Sequence, residues 1–415
     1  MSAASNQKHR RGFTLIELLF VIAIMGILMS LTIAVMNGVQ EQAERTATKV
    51  TIRKVNGLLQ QRLESFDRAF RRSLKDRLIR DTITLLRANV GDNFVVPLQQ
   101  LDQAPPWLVV LAKKAGVRFE FPQRFVDRTG SGELDAAGIA DGMPLSVYNK
   151  IALPIARTQL VQEGKPNLED DVKARVTSNW AKHTSATESA ELLYFFLISS
   201  GNFGGATLDA DQFTDREIAD TDGDGLPEFI DAWGHPLRFY RWPTRLIDPD
   251  APDPFVPDIT TIDPTDQRII SAEERFVAGL LIRGLPAAPI PLGAGGQRDT
   301  MFVDPDDPVG LLYTLIEDPN FLNMGIELRN AINESGYHTL DTWHTPLIVS
   351  AGPDGVLGLR EPSEWNASSG IYGNLAQLAG TTTEAGNLGP IPSSSVIDDL
   401  TDNVANRNTR AGGRR

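Results

Sequence analysis

Arg11-Gly12-Phe13-Thr14-Leu15-Ile16-Glu17-Leu18-Leu19 opens an apolar run in which one carboxylate stands alone. From Phe13 to Met36 the chain has 24 residues and no charge except Glu17. A helix needs roughly 20 mostly apolar residues to span the hydrocarbon of a bilayer. A bare acid inside such a helix costs roughly 3 kcal/mol, so an intramembrane Glu calls for a partner and a role. Lys8, Arg10 and Arg11 precede the run, and the next charge after Glu17 is Glu41. That asymmetry keeps the N-terminus cytoplasmic and translocates the body of the chain. An ordinary secretory signal is cut after its apolar region, at a small-residue site. Here the Gly12-Phe13 junction lies before that region, so the expected cut leaves the helix attached. A plain signal anchor is the bland alternative, and it needs neither Glu17 nor the junction.

Beyond the run, apolar residues recur at Ile52, Val55, Leu59, Leu63, Phe66, Phe70, Leu74 and Leu78, and no proline occurs before Pro97. Steps of three and four mark one face of an amphipathic helix. The spacing predicts that the helix continues from the apolar run, with Gly38 and Gly57 as weak points. Extended from Phe13 to about Arg87, it would measure on the order of 110 Å at 1.5 Å per residue. Its distal half suits both lateral packing in a filament and the core of a globular head.

The body is acidic. The chain carries a net charge of -13, yet Gln40 to Val90 holds twelve Lys/Arg against six Asp/Glu. The residues after Val90 carry the deficit, which argues against a nucleic-acid partner and is compatible with divalent cations. The absence of cysteine excludes disulfides, thiolate nucleophiles and Cys-based metal sites. Ser189 to Leu197 reads as a buried helix. After Asp209, short apolar segments alternate with Gly, Pro and Asp turns. Leu237 to Trp242 and Thr345 to Ser350 are the best strand candidates. Asp248 to Asp266 reads as a surface insertion, and the polar tail from Ser393 as disordered. Asp231-Ala232-Trp233-Gly234-His235-Pro236-Leu237 is echoed by Asp341-Thr342-Trp343-His344-Thr345-Pro346-Leu347. In each, Asp caps a turn, Trp packs inward and Pro fixes the start of a strand.

A basic leader, a Gly-Phe junction and an acid five residues along resemble the class III signal of type IV pilins and type II secretion pseudopilins. Asp231-Ala232-Trp233-Gly234-His235-Pro236 also looks like the D-x-W-G-x-P segment of the major pseudopilin. Ser350-Ala351-Gly352-Pro353-Asp354-Gly355, followed by Gly358, looks like its later S-x-G-x-D-G-x-x-G loop. In that family the two segments lie close in sequence; here over a hundred residues intervene. The resemblance implies an α+β, pilin-like fold, with a long N-terminal transmembrane and amphipathic helix packed on a C-terminal domain with a small antiparallel sheet and long loops. It divides the chain into a leader (1–12), a transmembrane helix (13–37), its amphipathic continuation (38–90), a periplasmic head with insertions (91–392) and a disordered tail (393–415). It further implies cleavage after Gly12 by a prepilin peptidase, a methylated amine on Phe13, and pairing of Glu17 with a neighbouring subunit's amine during assembly. The implied partners are other pseudopilin subunits, the inner-membrane platform of the secretion system and the membrane itself. The protein would be single-pass in the inner membrane, with its head in the periplasm. A type IV pilin for adhesion or motility, and a membrane-tethered enzyme on a pilin-like anchor, are the other readings.

Asp220-Thr221-Asp222-Gly223-Asp224-Gly225-Leu226-Pro227-Glu228-Phe229-Ile230-Asp231 fits a calcium loop: acids at positions 1, 3, 5, 9 and 12, Gly at 6 and a backbone carbonyl, that of Leu226, at 7. Calcium wants six to eight hard oxygens, and alternate loop residues can supply them. No clear helix pair flanks the loop, so a full EF-hand is not expected. A solvated acidic turn is the bland alternative. Calcium binding near the family's C-terminal loop makes Asp354 a second candidate ligand. Asp127 to Asp135 is a fainter calcium-like loop without an acid at position 12. Catalysis has little support. His9, His183, His235, His338 and His344 form no metal-ligand spacing such as H-E-x-x-H. There is no G-x-S-x-G elbow and no Walker-type lysine.

Overall fold

The computed structural model describes residues 15–90, 104–201, 212–242, 346–366, 371–376, 379 and 403–406. The leader, the segment from Asp248 to Asp266 and residues 341–345 of the echo lie outside them. The chain divides between Thr46 and Ala47 into two compact units.

Helix α1 (Leu15–Ala69) leads through a π-helical turn (Phe70–Leu74) into α2 (Lys75–Val90). Neither Gly38 nor Gly57 breaks it. A Cβ at either position would meet nothing within 4 Å, so each glycine costs only its helix propensity, about 1 kcal/mol. The irregularity falls instead at Phe70–Leu74, where a π turn takes one extra residue. In the first unit, the described large apolar side chains between Leu15 and Met29 are exposed, as are Met36 and Val39. Among the described residues no helix is long and apolar enough to cross a membrane.

In the second unit the helix turns inward-facing at the expected spacing. Ile52, Val55, Leu59, Phe66, Phe70 and Leu78 are buried, and Leu63 and Leu74 are half-buried against the same core. Helix α3 (Pro106–Glu120) starts with Pro106, whose missing N–H costs nothing in a first turn. It packs on α2 so closely that a Cβ on Gly116 would lie 2.7 Å from Leu78 Cδ1. Short α4 (Phe125–Thr129) precedes a hairpin, β1 (Asp135–Ala136) with β2 (Ala140–Pro144). Then come α5 (Leu145–Val147), a π turn, α6 (Leu153–Gln162) and α7 (Glu169–Trp180). Three acids in the first turn of α7 complement its dipole. The expected buried helix is α8 (Glu188–Tyr194), continued by a π turn at Phe195–Ser199.

Strands β3 (Ile218–Ala219) and β4 (Glu228–Phe229) pair antiparallel and carry the acidic loop between them. The two strand candidates pair as β5 (Arg238–Tyr240) and β6 (Leu347–Ser350), with Phe239 opposite Ile348. A small hairpin, β7 (Trp365–Asn366) and β8 (Ile371–Tyr372), comes next. On its other side β6 pairs with β9 (Val404–Ala405). The expectation of a disordered tail therefore fails at residues 403–406. Their polar composition is misleading, because both asparagines serve the backbone and α1. Asn403 Nδ2 donates to the Leu357 carbonyl, the Asn406 N–H donates to Ile348, and Asn406 Nδ2 donates to Asn56 Oδ1 on α1. The fold is thus mixed helix with small antiparallel sheets, compatible with α+β.

Edge-to-face rings tie the layers together. Phe66 of α1 meets Phe121 (5.9 Å), Phe121 meets Phe196 (5.5 Å) and Phe196 meets Phe239 of β5 (5.2 Å). Buried Arg62 of α1 donates to the Gly201 carbonyl and Ser200 Oγ, each at 2.6 Å, and so caps the end of the α8 segment.

Asp127 is not a loop ligand. It is buried beside Arg118 (3.0 Å), Arg241 (3.2 Å) and Arg124 (3.5 Å), and accepts the Gln123 N–H. Burial alone would raise its pKa, but the three guanidinium groups hold it well below the ordinary 3.8. Its ionised form is favoured by folding, so this contribution is complete above the ordinary value and is lost as pH falls below it. Replacing Asp127 with Asn strands buried Arg241 and is expected to cost about 3–5 kcal/mol at neutral pH. Urea unfolding across a pH series checks this: the acid-side loss of stability should be shallower in the variant than in the wild type.

Candidate functional site

The acidic loop is a string of turns closed by its own carboxylates. Asp220 accepts the N–H groups of Gly223 (2.7 Å) and Gly225 (2.9 Å), Asp222 Oδ1 that of Asp224 (3.0 Å), and Asp224 Oδ1 that of Leu226 (2.6 Å). Gly225, at φ +86°, is required twice over. A side chain there would be strained, and its Cβ would lie 2.8 Å from Asn179 Nδ2. Glu228 is fully buried and accepts from the N–H and Oγ1 of Thr221. These turns gather carboxylate oxygens of Asp220, Asp222 and Glu228 within 4.8 Å of one another.

The loop leans on the connection between α7 and α8. Asp222 Oδ2 accepts from the Thr184 N–H (2.9 Å) and Thr187 Oγ1 (3.0 Å), and Lys182 Nζ donates to the Gly223 carbonyl. His183 Nδ1 lies 2.8 Å from Asp224 Oδ2 and 3.5 Å from Glu191 Oε1. A second convergent group results: His183, Glu191, Asp222 and Asp224, again with donor atoms within 4.8 Å. Asp222 belongs to both. Burial pushes Glu228 up to about 9, with repulsion from Glu191 adding to it. It likewise pushes Glu191 up to about 8 and raises Asp224. For His183 burial opposes the charged form, but the hydrogen bond to Asp224 and the proximity of Glu191 outweigh it and raise the imidazole to about 10. Acids that hold their protons and a histidine drawn toward its cation are the responses of a pocket with excess negative charge.

Asp231 leaves the group that its position 12 assigns it to. Its Oδ1 accepts the N–H groups of Trp233 and His235, both at 2.9 Å, and its Oδ2 accepts Ser350 Oγ at 2.7 Å. The side chain caps the turn between β4 and β5 and is not among the carboxylates that converge with Asp220. Asp354 stands apart as well; it accepts the Val356 N–H within its own turn. Asp231 does join the two segments that a hundred residues separate. Ser350 Oγ in turn accepts the Gly352 N–H, and His235 Nδ1 lies 3.0 Å from the Gly352 carbonyl. Thr48 of α1 takes the Ala232 N–H at 3.1 Å, so the turn is also fixed to the helix.

Sequence reasoning missed His183 and Glu191. A signal existed for Glu191, a lone acid in the apolar stretch from Ala190 to Leu197, the same kind of signal that singles out Glu17. His183 carried none, because its neighbours are distant in sequence. Gly12 and Phe13 lie outside the described residues. Glu17 lies on α1, but its side chain is not described.

Residues 7–33 match the family described as the prokaryotic N-terminal methylation motif. The match spans Gly12, Phe13 and Glu17 and supports a prepilin-type, type IV pilin-like protein that is processed by prepilin peptidase and assembles with pilin-like subunits. Neither the curated proteins nor the solved structures gave a match.

Ser350→Ala removes the one side chain that donates to Asp231 Oδ2 among the described residues. The expected loss of stability is about 1–3 kcal/mol by urea unfolding, and a loss under about 0.5 kcal/mol, the size of an ordinary surface change, would contradict the joining role.

Proposed function

We propose that the chain is a pseudopilin-like structural subunit, not an enzyme, of a type II secretion pseudopilus. It is cut after Gly12, held in the inner membrane by the run from Phe13 to Met36, and carries a periplasmic head that calcium stabilises. The observation that carries the reading is the methylation motif at residues 7–33 on a helix whose later turns form the spine of a folded head. Its exposed apolar side chains between Leu15 and Met29 suit lipid first and neighbouring helices afterwards. Glu17 then pairs with the free amine of an adjacent Phe13, a pairing favoured where water is scarce. The link from Asp231 through Ser350 to Gly352 supports the pseudopilin reading over a motility pilin, since it joins the two segments on which that resemblance rests.

Calcium fits the donor set in part. Asp220, Asp222 and Glu228 supply hard oxygens in one place, and a bound cation would neutralise a buried carboxylate at Glu228. It would thereby hold the turn leading into β4 and β5. Asp231 and Asp354 are not needed for this.

Mature protein extracted from membranes should begin at Phe13 by N-terminal sequencing, and Glu17→Ala should remain inserted yet leave the filament fraction depleted about tenfold or more. Normal assembly of that variant removes the pairing. Calcium should raise the thermal midpoint relative to chelator by several degrees, an increment that Asp220→Asn abolishes; equal midpoints in calcium and chelator would count against a calcium-stabilised head.

A further inference from the structure

The group formed by His183, Glu191, Asp222 and Asp224 lies beside the calcium loop but differs from it in chemistry. One donor is an imidazole nitrogen, and the Glu191 carboxylate comes from the interior of a buried helix. Glu191 is 2% exposed and neither of its oxygens accepts a hydrogen bond among the described residues. Buried carboxylates are ordinarily hydrogen-bonded, paired or metal-bound. Asp222 and Asp224 have backbone and hydroxyl donors; Glu191 has His183 at 3.5 Å and the Thr187 hydroxyl nearby, neither in a well-formed hydrogen bond.

We propose that these four residues hold one divalent first-row transition cation of the zinc class, distinct from calcium. Calcium takes hard oxygens, whereas an imidazole nitrogen with carboxylates suits zinc and its neighbours. Bonds of about 2.0–2.2 Å in a tetrahedron place donors roughly 3.3–3.6 Å apart. The 3.5 Å between His183 and Glu191 is already in that range, the 2.8 Å between His183 and Asp224 lies below it, and the remaining separations stay within 4.8 Å. Small side-chain rotations therefore suffice. The ring of His183 stacks on Trp180 at 4.1 Å and 12°, with Phe125 at 5.4 Å, so its orientation is set before any ion arrives. Such an ion would lock the loop between β3 and β4 onto α8 and the end of α7, three segments otherwise joined here by a few polar contacts.

The test uses the full-length protein, stripped with chelator and titrated with cobalt(II), whose absorption reports four-coordination. One equivalent should bind with an intense tetrahedral-type spectrum, be displaced by zinc, and survive a hundredfold excess of calcium. His183→Asn and Glu191→Gln should each weaken cobalt binding at least tenfold while far-ultraviolet circular dichroism stays native. Asp220→Asn should leave cobalt binding intact even as it removes the calcium response, so the two sites fail separately. Absence of stoichiometric uptake, displacement by calcium at comparable concentration, or unchanged binding in both variants would each overturn the proposal. The first two readouts need no variant to fold.

Discussion

One strip of helix, kept from water between Thr48 and Leu86, organises the head. Along it Ile52, Val55, Leu59, Phe66, Ile79 and Leu86 are buried, and the attachments beside them are spaced along a rigid rod. Thr48 holds the turn after β4, Lys54 pairs with Glu217 at 2.8 Å, Asn56 takes β9, and Arg62 caps the segment after α8. At 1.5 Å per residue the first and last of these lie about 21 Å apart. Short strands of two to five residues have little cooperativity of their own. Their positions are inherited from the helix and from the ring contacts that run from Phe66 to Phe239.

The acidic loop answers two demands with one set of carboxylates. It must close its own turns, and Asp220, Asp222 and Asp224 do so by accepting backbone N–H groups a few residues further along the loop. It also faces a wall of buried acids, Glu191 and Glu228, that water does not solvate. A loop whose side chains already satisfy its backbone is shaped in advance, so an ion entering it would meet a formed site rather than a disordered one. Asp222, common to both groups, couples the solvent-facing side of the loop to the pocket under it.

Much of the fold was legible in the residues. The period of three and four from Ile52 to Leu78 marked the spine, and the short apolar segments at Leu237 and Leu347 marked two strands that do pair. Both readings rest on local patterns that burial enforces directly. The tail departs from expectation because composition stands in for burial only on average: Val404 and Ala405 are buried by an edge that β6 leaves open, and nothing near them in sequence announces it. The site divides in the same way. Asp220, Asp222 and Glu228 converge because loop spacing alone brings them round. Asp231 is diverted because Ser350, 119 residues away, offers a donor.

The sequence by itself determined where the chain is apolar, where it is helical and where its acids are dense, since these depend on side-chain type and period. It also marked the processing signal, which is read as a string of residues. Only the tertiary structure decided which acids face one another, because donor distances of three to four ångströms depend on how α7, α8 and the loop between β3 and β4 stack. His183 and Glu191 enter the site through that packing alone.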